Sequence, residues 1–312
     1  MASQLLRYTA FSRDPAGGNP AGVWLGEQLP DAARMQRIAA QVGDSETAFV
    51  AAPGADGRRP TRYFSPEAEV PFCGHATIAA AVALGDREGD GRYVFATATG
   101  DIPAQVSTHA GARMASLVSV PPRHEPAPPA LLRDVLDTLG WREAELDPAI
   151  PPARAFAGAW HLVLAAADAA RLARLDYDFA RLKALMLGDG LTTLQLVWRE
   201  SPTRWHARNP FPVGGVVEDP ATGAAAAALG GYLRDAGIVM APARLEIHQG
   251  AAMGRPGLLR VDIPAAGGIT VSGDAVALPS PTRISPHEHH ASGRPAPLPA
   301  HRRPRFPHRA RA

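Results

Sequence analysis

The chain has 312 residues, of which 46% are hydrophobic and 20% charged, the balance of a globular protein large enough for two domains. No run of about 18 apolar residues and no charged-then-apolar leader occurs, so neither a membrane span nor a secretion signal is expected. The single cysteine, Cys73, excludes internal disulfides and cysteine-based metal clusters, which favours a cytoplasmic location.

The net charge of +2 is unevenly distributed along the chain. Seven arginines and one glutamate give residues 280–312 a charge of +6, so the preceding residues carry −4. This terminal segment is rich in Pro and His and has no periodicity, which predicts a disordered basic tail. No aromatic stripe accompanies the arginines, and we therefore expect no nucleic-acid partner.

In the first half, apolar runs bounded by Gly and Pro predict strands, and residues 32–42 have the spacing of an amphipathic helix. The predicted strands are 5–11, 21–25, 47–51, 62–64, 93–98, 102–107 and 113–118. The Pro-rich segment 121–129 is the natural domain boundary.

The second half repeats this scheme loosely. The predicted strands are 161–165, 192–198, 203–208, 245–249, 258–263 and 270–277, and the predicted helical pieces are 169–174 and 179–186.

A glycine turn that runs directly into an Ala-rich helix occurs once in each half, at residues 73–77 (CGHAT) and 218–223 (EDPATG). Helices made almost entirely of small and aliphatic residues are buried on every side, so we expect strands to wrap around each of them. Helix N-termini carry unpaired backbone N–H groups and hold anions. The two turns are therefore expected to close on one small carboxylate.

Short motifs in a fixed order resemble the phenazine-biosynthesis PhzF family over residues 5–278. They are 18–23 (GNPAGV), 45–50 (SETAFV), 62–69 (RYFSP to Glu69), 73–77, 208–212, 218–223, 249–250 (QG) and 253–256 (MGRP). The resemblance implies an α+β, diaminopimelate-epimerase-like fold of two similar domains, related by a pseudo-twofold axis. Each domain would be a β-barrel around a central Ala-rich helix, with the site in the cleft between them.

On this fold we predict an N-terminal domain at 1–122, to which 268–279 returns, a C-terminal domain at 123–267, and the tail at 280–312. The resemblance also implies a cofactor-independent isomerase, commonly a homodimer, that moves a proton within a small carboxylate-bearing substrate. The archetypal reaction is the isomerisation of trans-2,3-dihydro-3-hydroxyanthranilate. No metal is expected.

The family's catalytic acid/base carries over onto Glu46, and its motif His and Asp onto His75 and Asp219. The other predicted substrate-binding residues are Asn19, Cys73, Gly74, Thr77, Gly223 and Ala224. One departure from the family pattern is Ala224, which replaces a serine whose hydroxyl would help to bind substrate.

Five of these residues also have a structural interpretation. His75 would then be a buried His bonded to a carbonyl, Asp219 a helix cap, Asn19 a turn residue and Cys73 a small buried filler. Glu46 would be an exposed turn residue or a helix cap.

Two other functions stay open at this point. In the first, an amino-acid epimerase or racemase, Cys73 is one base and Glu46 or Asp219 the other; the single cysteine excludes a two-thiol version. In the second, the chain is a catalytically silent small-molecule-binding protein that kept the fold.

Overall fold

The order of strands and central helices is the same in both halves of the chain, and the second half has one more helix between its second and third strands. A computed structural model describes residues 3–279. Its first half comprises β1 (Gln4–Ala10), β2 (Asn19–Gly26), α1 (Ala32–Val42), β3 (Thr47–Ala51), β4 (Arg58–Phe64), β5 (Glu69–Val70), α2 (Gly74–Glu88), β6 (Gly91–Thr97), β7 (Gly100–His109) and β8 (Ala112–Val118).

The second half adds a short strand and a helix before the repeat begins. It comprises β9 (Arg123–Pro126), α3 (Pro129–Leu139), β10 (Ala153–Phe156), β11 (Trp160–Ala165), α4 (Ala169–Ala173), α5 (Phe179–Gly188), β12 (Leu191–Arg199), β13 (Arg204–Phe211), β14 (Val216–Asp219), α6 (Gly223–Asp235), β15 (Ala243–Gln249), β16 (Gly257–Ile263) and β17 (Thr270–Ala277). The tail predicted at 280–312 lies outside the described residues.

Strand pairing repeats between the halves as well. In the first, β1–β2 is antiparallel, β2–β3 parallel, β3–β4 antiparallel, β4–β6 parallel, and β6–β7–β8 antiparallel. In the second, β10–β11, β11–β12, β12–β13, β13–β15 and β15–β16–β17 follow the same sequence of orientations. The predicted pair of similar α+β units is therefore confirmed.

The last strand of each half completes the barrel of the other. β17 pairs with β16 of its own half and then with β1, which closes β1, β2, β3, β4, β6, β7, β8 and β17 into a ring. In the same way β8 pairs with β7, and β9, which follows it, pairs with β10. β8 and β17 are antiparallel neighbours with Ser116 opposite Ser272, which places the pseudo-twofold axis near this pair. The domain limits given above stay a prediction.

Each barrel encloses one Ala-rich helix, as expected. In α2, every residue from His75 to Gly85 is buried, and in α6 every residue from Ala225 to Leu233 is buried. Small residues are needed because the walls lie close. A Cβ on Gly231 would lie 2.2 Å from Cβ of Pro122. None of the helices in residues 3–279 is long and apolar enough to cross a membrane.

A second layer of helices covers the outside of the strands that carry the site. In β3, Ala48 and Val50 face the central helix, whereas Phe49 packs outward in one cluster with Met35 of α1. In the second half, Leu162 and Leu164 pack outward against α3 and α5. Both faces of these strands are buried, which explains their continuous apolar sequences.

Two loops of the second half, one at Pro220 and one at residues 250–255, pack closely beside the start of α6. Gly250 has a positive φ of 83°, and a Cβ there would lie 2.3 Å from the carbonyl oxygen of Arg255 and 2.6 Å from that of Pro220. Gly254 has a similar φ of 70°, with no atom within 4 Å of its hypothetical Cβ.

Alanine substitution of these two glycines distinguishes the cost of a left-handed backbone from the additional cost of a steric clash. Gly254→Ala is expected to lower the free energy of unfolding by about 1 kcal/mol, the cost of a left-handed backbone. Gly250→Ala is expected to cost about 3 kcal/mol, since two backbone carbonyls must also move. Urea unfolding of both variants measures the difference, and equal losses would contradict the close approach of the loops.

Candidate active site

The N-terminus of α2 forms one wall of the candidate site. Cys73 is the N-cap and has an extended backbone, with no side-chain cap bond. The backbone N–H groups of Gly74 and His75 have no acceptor within their own helix, as at every helix start. The N–H of Ala76 is directed to the sulfur of Cys73. This end of the helix is therefore suited to hold an anion.

Three reactive side chains meet at this helix start. Glu46 lies just before β3, and its Oε2 is 3.4 Å from Nε2 of His75 and 3.6 Å from Sγ of Cys73. The Cys73 sulfur is 3.4 Å from Nδ1 of His75. The Glu46 side chain is 16% exposed and that of His75 is 8% exposed, so the carboxylate is the more accessible group.

The other wall of the candidate site is built around Asp219, at the end of β14, whose charge acts on Cys73. Its Oδ1 accepts a hydrogen bond from Nδ2 of Asn19 at 2.8 Å, and its Oδ2 accepts one from Oγ1 of Thr222 at 2.6 Å. Because Asn19 belongs to β2 of the first barrel, its bond to Asp219 joins the two halves. Gln249 donates to the main-chain carbonyl of Asp219 at 2.8 Å and to Oγ1 of Thr222 at 3.0 Å.

Burial and neighbouring charges shift the pKa values of the site. Burial raises the pKa of Asp219, with a smaller opposing effect from His75 and a raising effect from Glu46. Burial also raises the pKa of Cys73 well above its ordinary value, and the negative charges of Glu46 and Asp219 raise it further. The thiol is therefore held protonated and is a poor base at neutral pH.

The structure brings most of the predicted site residues together. Glu46, Cys73 and His75 meet on one wall, and Asp219 with Asn19 lies on the other. Gly74 begins α2, while Gly223 and Ala224 begin α6, which contacts α2; all three are partly exposed.

Thr77 lies one turn inside the helix and is fully buried. Its hydroxyl donates to the carbonyl of Cys73 and is hydrogen-bonded to the Tyr63 hydroxyl, both at 2.7 Å. Direct binding of substrate by Thr77 stays a prediction, and the observed bonds hold the turn that carries Cys73.

Two residues of the site were not singled out from the sequence. Ser45 places its Oγ 3.2 Å from Nε2 of His75, and Gln249 joins Asp219 to Thr222. Both residues lie within the short motifs described above, next to Glu46 and Gly250, and this position in the sequence could have identified them.

Two arginines have structural partners. Arg208 pairs with Glu218 through two hydrogen bonds, at 3.0 and 2.6 Å. Arg255 donates to the carbonyls of Gly17 and Gly18 and thereby fixes the turn before Asn19.

Glu46, Cys73 and His75 are also the one group of potential metal ligands in residues 3–279, with ligand atoms within 4.8 Å of one another. A metal would bind the Cys73 thiolate, which the raised pKa disfavours. The arrangement is better suited to moving a proton, and the expected absence of a metal stays a prediction.

Comparison with known proteins identifies the family. The profile of the phenazine biosynthesis-like PhzC-PhzF family matches residues 8–280. The chain belongs to this family. An uncharacterized isomerase of Deinococcus radiodurans is 32% identical over 83% of this chain and 86% of its own length. The trans-2,3-dihydro-3-hydroxyanthranilate isomerase of Pseudomonas chlororaphis is 32% identical over 80% of this chain and 86% of its own.

Solved structures agree with the fold. A PhzF-family protein of Bacillus anthracis superimposes with a TM-score of 0.79 at 23% identity, over 89% of this chain and 98% of the other. A hydroxyproline epimerase of Agrobacterium vitis has a TM-score of 0.62 at 12% identity, over 89% and 91% of the two chains. The PhzF and epimerase folds are thus shared, and the named relatives make isomerase the enzyme class of this chain.

The reactivity of Cys73, the single cysteine of the chain, measures the effect of nearby charges in the site. Removal of the Glu46 charge is expected to lower the pKa of Cys73, so Glu46→Gln should react faster with iodoacetamide at pH 8 than the wild type. Mass spectrometry over time measures the rate, with the exposed Glu143→Gln as the control. Unchanged or slower labelling in Glu46→Gln would show that this carboxylate does not act on the thiol.

Burial of Asp219 is expected to cost stability above its ordinary pKa of 3.8. The native carboxyl binds its proton more tightly than the unfolded one, so stability is highest at low pH and falls as pH rises through the raised native pKa. Asp219→Asn should therefore unfold at a higher urea concentration than the wild type at pH 7. This gain should shrink toward pH 4 and be absent in the exposed control Asp176→Asn.

Proposed function

We propose that the protein is a cofactor-independent isomerase that moves a proton within a small carboxylate-bearing substrate resembling trans-2,3-dihydro-3-hydroxyanthranilate. The observation that carries this proposal is the Glu46 carboxylate. It stands at the start of α2, 3.4 Å from His75, on the wall opposite Asp219. The proposal draws its substrate class from the Pseudomonas chlororaphis relative.

The reaction needs no external reactant. Glu46 takes a proton from an acidic C–H bond, whose electron pair moves into the conjugated system. The protonated carboxyl then delivers the same proton to another carbon of that system, which restores the Glu46 carboxylate. Atoms and charges balance, and only one acid/base group is required.

Backbone groups serve as the anion site. The substrate carboxylate lies against the N–H groups at the starts of α2 and α6, which also stabilise the negative charge that develops during proton removal. His75 orients a ring substituent, and the Asp219 carboxyl accepts a hydrogen bond from an amine or hydroxyl. Because Ala224 lacks a hydroxyl, its backbone N–H is the group it contributes.

The geometry disfavours a two-base inversion by Cys73 and Glu46. A carbon between two bases needs them roughly 6–7 Å apart, since each reacting pair is about 3–3.5 Å apart. Sγ of Cys73 and Oε2 of Glu46 are only 3.6 Å apart and lie on the same wall. The raised pKa of Cys73 also opposes its use as a base.

Assembly and location belong to the same proposal. We infer a homodimer in the cytoplasm, with a small molecule as the ligand and neither nucleic acid nor membrane as a partner. Light scattering tests the assembly, since a dimer has twice the chain mass of 32.8 kDa.

Replacement of the acid/base group tests the mechanism. Glu46→Gln is expected to lower kcat for trans-2,3-dihydro-3-hydroxyanthranilate about 1,000-fold, because an amide cannot accept and return the proton. Its KM should change little, since the helix starts and Asp219 are retained. Glu143→Gln is the control and should match the wild type.

An isotope experiment distinguishes the alternatives. A substrate deuterated at the reacting C–H should keep part of its label in the product when Glu46 shuttles the proton. Complete washout with inversion in water would favour the epimerase, and binding without any exchange would favour the silent binding protein. Full turnover by Glu46→Gln would refute the assignment of Glu46.

A further inference from the structure

The second barrel contains a buried polar cluster next to the site that the proposed mechanism does not use. It consists of His161 on β11, Thr193 and Gln195 on β12, and Asn209 on β13. Each of the four is at most 1% exposed. Polar groups buried in this way are costly unless they are hydrogen-bonded, so their partners must be accounted for.

The cluster satisfies only part of its own hydrogen-bonding capacity. Nδ1 of His161 lies 2.8 Å from Oγ1 of Thr193, and Nδ2 of Asn209 donates to Oγ1 of Thr193 at 3.2 Å and to Oε1 of Gln195 at 2.6 Å. Three atoms in this one cluster have no partner: Nε2 of His161, Nε2 of Gln195 and Oδ1 of Asn209. A missing partner group would satisfy them.

Strand register places the cluster beside Asp219. Asn209 pairs across the ladder with Asp219, so their side chains lie on the same face of the sheet. His161 pairs with Thr193 near the starts of β11 and β12, at the same end of the barrel. This is the end at which α6 begins. The cluster therefore lies directly behind Asp219, on the inner face of the second barrel.

The internal duplication shows what this position corresponds to in the first barrel. Val70 and Asp219 each precede the first residue of their central helix by four positions, and they pair with Tyr63 and Asn209. Tyr63 in turn pairs with Ala48. Glu46 lies two residues before Ala48 and therefore on the same side of the sheet.

In the second barrel, Asn209 corresponds to Tyr63, and Gln195, to which Asn209 donates, corresponds to Ala48. Thr193 lies two residues before Gln195 and corresponds to Glu46. The cluster thus occupies the place that Glu46 and its neighbours hold in the first barrel. The second half of the cleft has a neutral polar group where the first half has the acid/base residue.

The unpaired atoms define a neutral binding group. When the Thr193 hydroxyl, which accepts from Asn209, donates its own hydrogen to Nδ1 of His161, Nε2 of His161 carries a hydrogen. Burial lowers the pKa of His161 to about 3, so the ring is uncharged. Two donors, on His161 and Gln195, and one acceptor, on Asn209, are left.

A hydroxyl group matches this set, because it accepts two hydrogen bonds and donates one. A carboxylate does not match, since it cannot donate to Oδ1 of Asn209 and no positive charge lies in the cluster. We propose that His161, Gln195 and Asn209, with Thr193 holding the His161 ring, form a subsite for an uncharged hydroxyl group of the substrate. This inference rests on the proposed function and adds a determinant of substrate choice to it.

Binding of paired acids tests the subsite without turnover. By isothermal titration, the wild type is expected to bind 3-hydroxyanthranilate about tenfold more tightly than anthranilate. In Gln195→Met/Asn209→Leu, which replaces two hydrogen-bonded partners by apolar side chains of similar size, the ratio of the two affinities should fall below about twofold. The buried control Thr61→Val, on β4, should keep the tenfold ratio.

A ligand change on the wild-type protein gives a test that does not depend on folding of the variant. The methyl ether 3-methoxyanthranilate cannot donate to Asn209 and should bind about tenfold more weakly than 3-hydroxyanthranilate. Equal affinities of the wild type for the hydroxylated and unsubstituted acids would overturn the subsite, as would a preference that persists in the double variant. In that case an ordered water satisfies the cluster, and the role of Glu46 is unaffected. Failure of both acids to bind would overturn the subsite and the proposed function together.

Discussion

A helix enclosed by strands on every side can meet a ligand only at its ends, and this constraint determines where the site lies. Both central helices are enclosed in this way, and α2 contacts α6. The N-terminal turn of each helix carries backbone N–H groups that lack partners within the helix. Strand exchange through β8 and β17 joins the two barrels, and Cys73 before α2 lies close enough to Asp219, four residues before α6, to be affected by its charge.

The two halves share their arrangement of strands and differ in the side chains beside their helix starts. One barrel places Glu46, Cys73 and His75 at its helix start, while the other has Asp219 and the neutral polar cluster near Asn209. Asn19 bonds to Asp219 and thereby links the two walls. Burial raises the pKa of Asp219, which limits the repulsion that two carboxylates would exert on an anionic substrate.

Most of the repeated elements could be predicted, because enclosed Ala-rich helices and continuous apolar strands have distinctive compositions. The segment from 121 to 156 was less accessible. Pro128 and Pro129 suggested a linker, but proline is favoured at a helix start and α3 begins there. β10 has only four residues, too few to show a period, and its pairing partners β9 and β11 establish it as a strand. Glu46, His75 and Asp219 were identified by motif, which does not depend on register.

The sequence by itself determined the duplicated α+β fold, the family and the residues that carry the candidate chemistry, since these depend on local composition and short motifs. Tertiary structure alone decided which groups face each other. The 3.6 Å separation of Cys73 and Glu46 places them on one wall. Strand register joins His161, Gln195 and Asn209, which are up to 48 positions apart in the chain, into one cluster. Such contacts depend on pairing between distant strands, and no single strand encodes its register with another.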